Sequence, residues 1–260
     1  MRKKFTIKLI VSIAVVILMI LLLRTLNVFN LIQRQVYKQE YSEYVNKYAV
    51  ANGIDPMWIY AIIKVESNFN TNATTRQQRD NSHIVIGHKL YCAHSNFPKV
   101  PMASSIEVFD TRTMQPIESI SLGSEIGSCT WAVPGKKCWY VFFAHYDKGE
   151  PGKDASWSQL IQFDRQWRRQ RGWILPKELI EDIRPNSLSG GVLVGDTFYC
   201  TGHDNGKCYL LKLPSQGMTL EWIGTMEVPF DGQAFSRDKE GNLWGIIRKE
   251  QVVMKATPIK

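Results

Sequence analysis

A chain of 260 residues can form one large domain or two smaller ones, and 44% hydrophobic with 22% charged residues is typical of a globular protein. This composition excludes a wholly disordered chain. Six cations of a chain with net charge +8 lie within the first 34 residues, beside an apolar run, which indicates a membrane surface. A second group of cations lies at Arg168, Arg169 and Arg171. No nucleic-acid-binding motif accompanies these arginines, so we predict no nucleic acid partner.

The first 32 residues predict a transmembrane signal anchor. A basic start at residues 2–4 precedes the uncharged, mostly aliphatic run Leu9–Leu23, which is fifteen residues long. A bilayer takes about 20 residues, and counting from Phe5, with flanking cations in the headgroups, gives that length. A cleaved signal peptide is the alternative, but no small-x-small cleavage site follows. We therefore expect a single-pass cell-membrane protein, anchored by residues 5–23, whose C-terminal part is extracytoplasmic.

Residues 33–75 predict two short helices. Apolar and aromatic residues recur at helical spacing over Tyr37–Ala49, and Asn52-Gly53 ends that run. Asp55-Pro56 then offers an N-cap and a proline at the first position of a second helix, Met57–Ser67.

Glu66 lies at the edge of the apolar face of the second predicted helix, in its last turn. Partial burial and the negative end of the helix both disfavour an ionised carboxylate there. A protonated carboxylic acid at working pH is what cleavage of a glycosidic bond requires. Glu66 is therefore a candidate catalytic residue.

Several stretches of this region resemble membrane-anchored bacterial lytic transglycosylases of the lysozyme-like, SLT type: Tyr41–Ala49, Gly53–Pro56, Ile59–Asn70 and Asn72-Ala73. The resemblance covers residues 1–74. It implies an enzyme that cleaves peptidoglycan between N-acetylmuramic acid and N-acetylglucosamine, with Glu66 as the catalytic acid and Ser67 in support.

The resemblance stops where the family's sugar cleft begins. The family continues with a Gly-Ala-x-Gly-Leu-Met-Gln segment and further helices, whereas residues 74–80 here read Thr-Thr-Arg-Gln-Gln-Arg-Asp. Orientation of the substrate supplies much of an enzyme's rate, so we expect residues 33–75 to be a truncated, inactive segment. An active peptidoglycan lytic transglycosylase that uses Glu66 as general acid and base is the alternative.

Residues 76–260 predict a mainly β region built from one recurring unit of four strands. The end residues of its second strands are separated by 51, 58 and 45 residues (94 to 145, 203 and 248). These second strands are Lys89–His94, Tyr140–His145, Phe198–His203 and Leu243–Arg248. We predict first strands at 83–86, 129–133, 191–194 and 233–236, third strands at 105–110, 159–164, 208–213 and 251–256, and fourth strands at 117–122, 172–175 and 220–228.

Aromatic-rich units of this length indicate an incomplete β-propeller of four or more blades, with three full blades and three strands of a fourth. A short helix at 176–183 separates the second and third units. Five stretches also resemble bacterial YVTN-type propeller repeat proteins, with the first blade material absent: Leu90–Asn96, Ser105–Asp110, Ser187–Gly191, Thr201–Asp204 and Gly232–Ala234. That resemblance covers residues 77–260. The change near residues 72–80 indicates the start of one protein joined to the rest of another, and a natural fusion, a rearranged gene and an assembly artefact all fit.

Polar side chains are expected on one face of this propeller, because the end of a second strand meets the start of the first. The set comprises His94, His145, His203, Arg248, Ser82, Ser128, Ser189 and Gln233. It fits a small polar, polyhydroxylated or anionic ligand. The three imidazoles are weak candidates for metal ligands, and hydrogen bonds to the neighbouring blade are the structural alternative. We predict no cofactor.

Five cysteines leave at least one unpaired within the chain. Cys129/Cys138 and Cys200/Cys208 each flank a predicted hairpin and are candidates for disulfides in an extracytoplasmic domain. Buried thiols that act as small hydrophobic residues are the alternative.

Overall fold

The computed structural model describes residue 15, residues 42–51, 56, 57, 59, 60 and 63, and residues 83–257 except 114, 125, 204, 232–234, 248, 249 and 251. The chain forms two compact units. One comprises Met1–Thr71 with Asp110–Gln115, and the other comprises Asn72–Phe109 with Pro116–Lys260.

The first unit contains helix α1 (Ser42–Ala51), where Glu43 in the first turn complements the positive end of the helix dipole. Val45 and Ala49, four residues apart, are its buried positions. The described residues between 56 and 63 are also helical, with Met57 and Tyr60 buried. Of the predicted anchor only Val15 is described, and it is helical. In the described part of the chain no helix has the length and apolar character needed to cross a bilayer.

The second unit is mainly β, and its four sheets form a propeller-like arrangement, as predicted. Consecutive strands are neighbours in every sheet. The first sheet contains β1 (His83–Ile86), β2 (Lys89–Ser95), β3 (Ala103–Asp110) and β4 (Gln115–Ser124). The second contains β5 (Ser128–Pro134), β6 (Cys138–Ala144), β7 (Gln159–Asp164) and β8 (Arg169–Ile174). The third contains β9 (Gly190–Val194), β10 (Thr197–Thr201), β11 (Lys207–Lys212) and β12 (Glu221–Glu227), and the fourth β13 (Ser236–Arg237), β14 (Leu243–Ile247) and β15 (Val252–Ala256).

The hydrophobic core lies between successive sheets. One cluster joins side chains of the first and second sheets, including Ile106 and Phe143, and a second joins the second and third, including Phe142 and Phe198. A smaller cluster joins the third and fourth sheets. A sheet that is covered on both faces has buried residues in succession rather than in alternation, and β5 shows this pattern.

A β-bulge in β5 determines which face of the sheet Trp131 occupies. Cys129 and Trp131 would share a face in a regular strand, yet they belong to different clusters because the pairing register shifts between them. Trp131 stacks on Phe142, with ring centroids 5.2 Å apart, and fills the space between the second and third sheets.

Helix α2 (Lys177–Ile183) packs its apolar side chains Leu179 and Ile183 into the cluster between the second and third sheets. Asp182 accepts hydrogen bonds from the Tyr209 hydroxyl at 2.6 Å and from Lys207 Nζ at 2.9 Å. These two bonds hold the pKa of Asp182 below its ordinary value.

No disulfide joins any of the five cysteines, which are all buried, so the thiol alternative describes them. Cys129 lies opposite Phe143, five residues along β6 from Cys138. That offset is roughly 16 Å at the rise of a strand, whereas a disulfide needs Cα atoms within about 7 Å. Cys200 and Cys208 belong to clusters on opposite faces of the third sheet.

Candidate functional site

Of the ten predicted site residues, the structure describes His94, His145, His203, Ser128 and Ser189. Glu66, Ser67, Ser82, Gln233 and Arg248 lie outside the described residues. At the second sheet Ser128 pairs with Ala144, so it lies beside His145. At the third sheet the Ser189 amide donates to the Thr201 carbonyl at 2.9 Å. In both sheets the start of the first strand meets the end of the second.

The serine hydroxyls at this end of the propeller are buried and join neighbouring blades. The Ser128 hydroxyl lies 2.7 Å from that of Ser95 in the first sheet. Thr130 Oγ1 donates to the Leu188 carbonyl, in the connection to the third sheet, at 3.1 Å. Ser189 is also buried. The Ser128 and Thr130 side chains therefore join the second sheet to the blades on either side of it.

His145 is only 2% exposed and is held by the connection from the first sheet. Its Nε2 lies 3.1 Å from the Ile126 carbonyl oxygen. A carbonyl can only accept, so Nε2 carries the proton, and a neutral ring then has a lone pair on Nδ1. Burial lowers the pKa of His145, which keeps the ring neutral near pH 7. A Cβ on Gly127 would lie 2.8 Å from Nε2, so glycine at that position, with φ 121°, allows the close approach.

The segment 145–158 between β6 and β7 folds over His145. Glu150 Oε2 faces His145 Nδ1 at 3.8 Å, and Glu150 Oε1 pairs with Lys153 at 3.1 Å. His145 Nδ1 and Glu150 Oε2 are both buried, and the described residues give neither atom a hydrogen-bond partner. The ring of Trp157 meets that of His145 in an edge-on contact at 6.5 Å.

This segment also forms an open pocket of about 440 Å³. Arg184 Nη2 donates to Asp154 Oδ2 at 2.8 Å, and Arg184 Nε lies 3.8 Å from Asp147 Oδ1, so one guanidinium braces two carboxylates of the wall. Trp157 remains 54% exposed. The complete lining is Asp147, Lys148, Gly149, Glu150, Pro151, Gly152, Lys153, Asp154, Ser156 and Trp157.

Except for the neighbouring His145, sequence reasoning missed every residue of this pocket. The signal that could have found them is segment length, because fourteen residues separate β6 from β7 whereas five separate β10 from β11. Long connections on a rigid scaffold commonly carry binding sites. The repetition that predicted the strands contains no information about such a connection.

The remaining histidines are placed differently. His94 is half-buried, and its Nδ1 lies 3.4 Å from the hydroxyl of Ser105, which donates to Glu107 Oε1 at 2.6 Å. His203 is also half-buried. Among the described residues no group of three or more His, Cys, Asp or Glu side chains is arranged to hold a metal ion. The three imidazoles predicted as weak metal ligands therefore form no such group there.

Residues 43–87 match the transglycosylase SLT domain. The match supports a lytic transglycosylase-like segment, but it covers less than a fifth of the chain. It also extends past the predicted limit at residue 74, through β1. No curated protein matches the chain.

Two solved structures show a distant likeness. One is a luciferin-regenerating enzyme, with 11% identity, 67% of this chain and 58% of that chain covered, and a TM-score of 0.41. The other is apo AztD from Citrobacter koseri. The identity is 12%, the match covers 64% of this chain and 42% of that chain, and the TM-score is 0.34. This chain spans less than two thirds of the length of either structure.

Proposed function

We propose that the chain is a membrane-anchored, extracytoplasmic protein whose propeller binds a small ligand in the pocket beside His145. In this proposal the lytic transglycosylase-like segment is truncated and does not catalyse. The observation that carries the proposal is the pocket of about 440 Å³. Its volume lies within the range of about 300–1,000 Å³ that is usual for small-molecule sites.

Two further features support a binding site at this place. The walls are braced internally by the Glu150–Lys153 pair and by Arg184, so the pocket is formed before a ligand arrives. A buried histidine with a perturbed pKa lies beneath it, and such residues are concentrated at functional sites.

The test is calorimetric titration of the detergent-solubilised full chain with neutral saccharides, inorganic phosphate and spermidine. Lys153→Ala removes one ion-pair partner inside the pocket, and Lys212→Ala removes one from the surface pair with Asp196 in the third sheet. We expect a ligand whose affinity falls in Lys153→Ala and is unchanged in Lys212→Ala. Equal affinities in both variants, or no binding at all, would contradict a site at this pocket.

The membrane anchor has its own test. Cells that express the chain with a C-terminal tag are separated into membrane and soluble fractions and treated with an external protease. We expect the full chain in the membrane fraction and loss of the tag after protease treatment of spheroplasts. A soluble chain, or a tag that survives while a periplasmic marker is digested, would contradict the proposed topology.

An active peptidoglycan lytic transglycosylase is the second candidate, and the match of residues 43–87 to the SLT domain favours it. Purified chain is incubated with sacculi, and anhydromuropeptides are measured by mass spectrometry. Release that disappears in Glu66→Gln would establish catalysis and overturn the inactive segment. No release from wild-type chain, under conditions in which a known lytic enzyme is active, supports the truncated interpretation.

A further inference from the structure

Beneath the pocket, two hydrogen-bond acceptors face each other, one on His145 and one on the lining residue Glu150. His145 Nε2 donates to the Ile126 carbonyl, so Nδ1 presents a lone pair. Glu150 Oε2 lies 3.8 Å away and, as a carboxylate, also accepts. Both atoms are buried, and within the described residues neither is supplied with a donor. Buried acceptors are costly without a donor, so this site favours a ligand that brings O–H or N–H groups.

The charges of the pocket are balanced, which argues against a strongly charged ligand. The lining carries three carboxylates, at Asp147, Glu150 and Asp154, and two ammonium groups, at Lys148 and Lys153. Arg184 contributes the third cation through its contacts with the two aspartates. Because the three carboxylates are paired internally, a polycation meets little free negative charge, and an anion meets a single lining cation, Lys148, to which the described residues give no ion pair.

An exposed aromatic ring forms one wall. Trp157 ends the short 3-10 turn Ala155–Trp157, whose start is capped by the side chain of Asp154. The ring is 54% exposed although Lys153 Nζ lies 5.8 Å from its centroid. The face of an indole carries negative charge density, so it attracts the weakly positive C–H groups of a saturated ring.

We propose that this pocket binds a neutral carbohydrate, with a pyranose C–H face against Trp157 and a hydroxyl that donates to Glu150 or His145. A carbohydrate combines the donors that the acceptor pair lacks with an apolar ring face and no net charge. The inference rests on the proposed function, because it names the ligand class of the same pocket. It concerns residues 145–158 and is independent of Glu66.

Calorimetry with the detergent-solubilised full chain tests the ligand class. The probes are glucose, N-acetylglucosamine, cellobiose and chitobiose, with inorganic phosphate and spermidine as charged comparisons. We expect at least one saccharide to bind and neither charged probe to compete with it. Trp157→Ala should weaken saccharide binding about tenfold or more, whereas Trp157→Phe, which retains an aromatic face, should preserve most of the affinity.

Glu150→Gln and Lys212→Ala compare a change inside the pocket with a change outside it. Glu150→Gln exchanges a paired carboxylate for an amide and should weaken saccharide binding severalfold. Lys212 lies in the third sheet, where it pairs with Asp196, so Lys212→Ala should leave saccharide affinity within about threefold. Circular dichroism confirms that each variant is folded.

The outcomes distinguish the two proposals. If phosphate or spermidine binds in a manner that depends on the pocket and no saccharide does, the pocket remains a ligand site and the carbohydrate inference is overturned. If a saccharide binds equally well to Trp157→Ala and Glu150→Gln, it occupies another place and the inference also fails. If no probe of any class binds, both proposals are overturned.

Discussion

The hydroxyl oxygens of Ser95 and Ser128 lie 2.7 Å apart, and both residues are buried. Ser95 ends β2 in the first sheet and Ser128 begins β5 in the second, so this hydrogen bond joins two blades. The Ser104 hydroxyl donates to the Gly127 carbonyl at 2.9 Å beside it. The hydrophobic cluster between these two sheets packs through apolar contacts, which are not directional. This pair of hydroxyls therefore specifies how the two strand ends align.

Ser95→Ala and Ser128→Ala test this link as a double-mutant cycle. Each single change leaves the other hydroxyl buried without this bond, so each should lower the free energy of unfolding by about 1–3 kcal/mol. The double variant should be less destabilised than the sum of the two single changes, with a coupling energy of about 1 kcal/mol.

Urea unfolding, monitored by circular dichroism, measures the free energies of the cycle. Ser119→Ala, which loses only an exposed bond to Glu107, serves as the control and should change stability by less than about 0.5 kcal/mol. Additive effects of the two single changes would contradict the link.

Gly191→Ala should disrupt packing between the second and third sheets. A Cβ at Gly191 would lie 2.4 Å from Trp131 Cδ2, and Trp131 is almost fully buried against Phe142. Because the indole cannot withdraw, we expect a loss of about 1–3 kcal/mol in the free energy of unfolding.

Gly224→Ala is the matched control, since a Cβ there meets only Leu210 Cδ1 at 3.7 Å. Urea unfolding of both variants should give a midpoint close to that of the wild type for Gly224→Ala and a clearly lower one for Gly191→Ala. Equal midpoints would show that the contact between Trp131 and β9 is not tightly packed.

Much of the β region could be predicted because its signals are local. The strands at 83–86 and 159–164 have the predicted bounds, and Gly87 and Gly195, both with positive φ, lie in the turns between the first and second strands of their sheets. The bulge in β5 was not predictable from alternation, because Cys129 and Trp131 look equivalent in the sequence. In the fourth sheet the described first strand is Ser236–Arg237, and residues 233 and 234 of the predicted strand 233–236 lie outside the described residues.

The candidate site was less predictable for a related reason. Repetition predicted a second strand that ends at His145 near Ser128; β6 ends one residue earlier, at Ala144, which pairs with Ser128. What the His145 side chain does depends on Ile126, in the connection between β4 and β5, and on Glu150, in the segment that folds back. These contacts are tertiary, so no spacing within the repeat contains them. In the sequence, only the length of segment 145–158 could have indicated a site.

The five thiols provide a test of the core that does not depend on any ligand. All five cysteines are buried, and burial raises the pKa of Cys208 to about 12 and raises that of Cys200 well above its ordinary value. A thiol is nucleophilic as the thiolate, so both the access of a reagent and the reactive form are suppressed. We expect iodoacetamide to label no cysteine in native chain at pH 8 and all five in urea, as measured by intact mass. A native chain whose mass is lower by two hydrogens for each pair of cysteines would contain disulfides and would contradict this arrangement. Labelling of Cys129 before unfolding would also contradict it.

His145 should make the stability of the chain depend on pH between about 7.5 and 5. Its pKa is lowered in the folded state mainly by burial, and Lys153 lowers it further, whereas the Ile126 carbonyl, Glu150 and Asp154 raise it. The unfolded chain therefore takes up a proton below the ordinary histidine pKa of about 6.5 while the folded chain does not. This contribution to the free energy of unfolding is present above that pH and is lost as pH falls toward the folded-state pKa.

Urea unfolding at pH 7.5, 6.5 and 5.5 should show this decline in the free energy of unfolding of the wild type and a smaller decline in His145→Gln. His88→Gln, in the exposed turn between β1 and β2, is the control and should retain the full decline. The same slope in His145→Gln and wild type would contradict a lowered pKa of His145 in the folded chain.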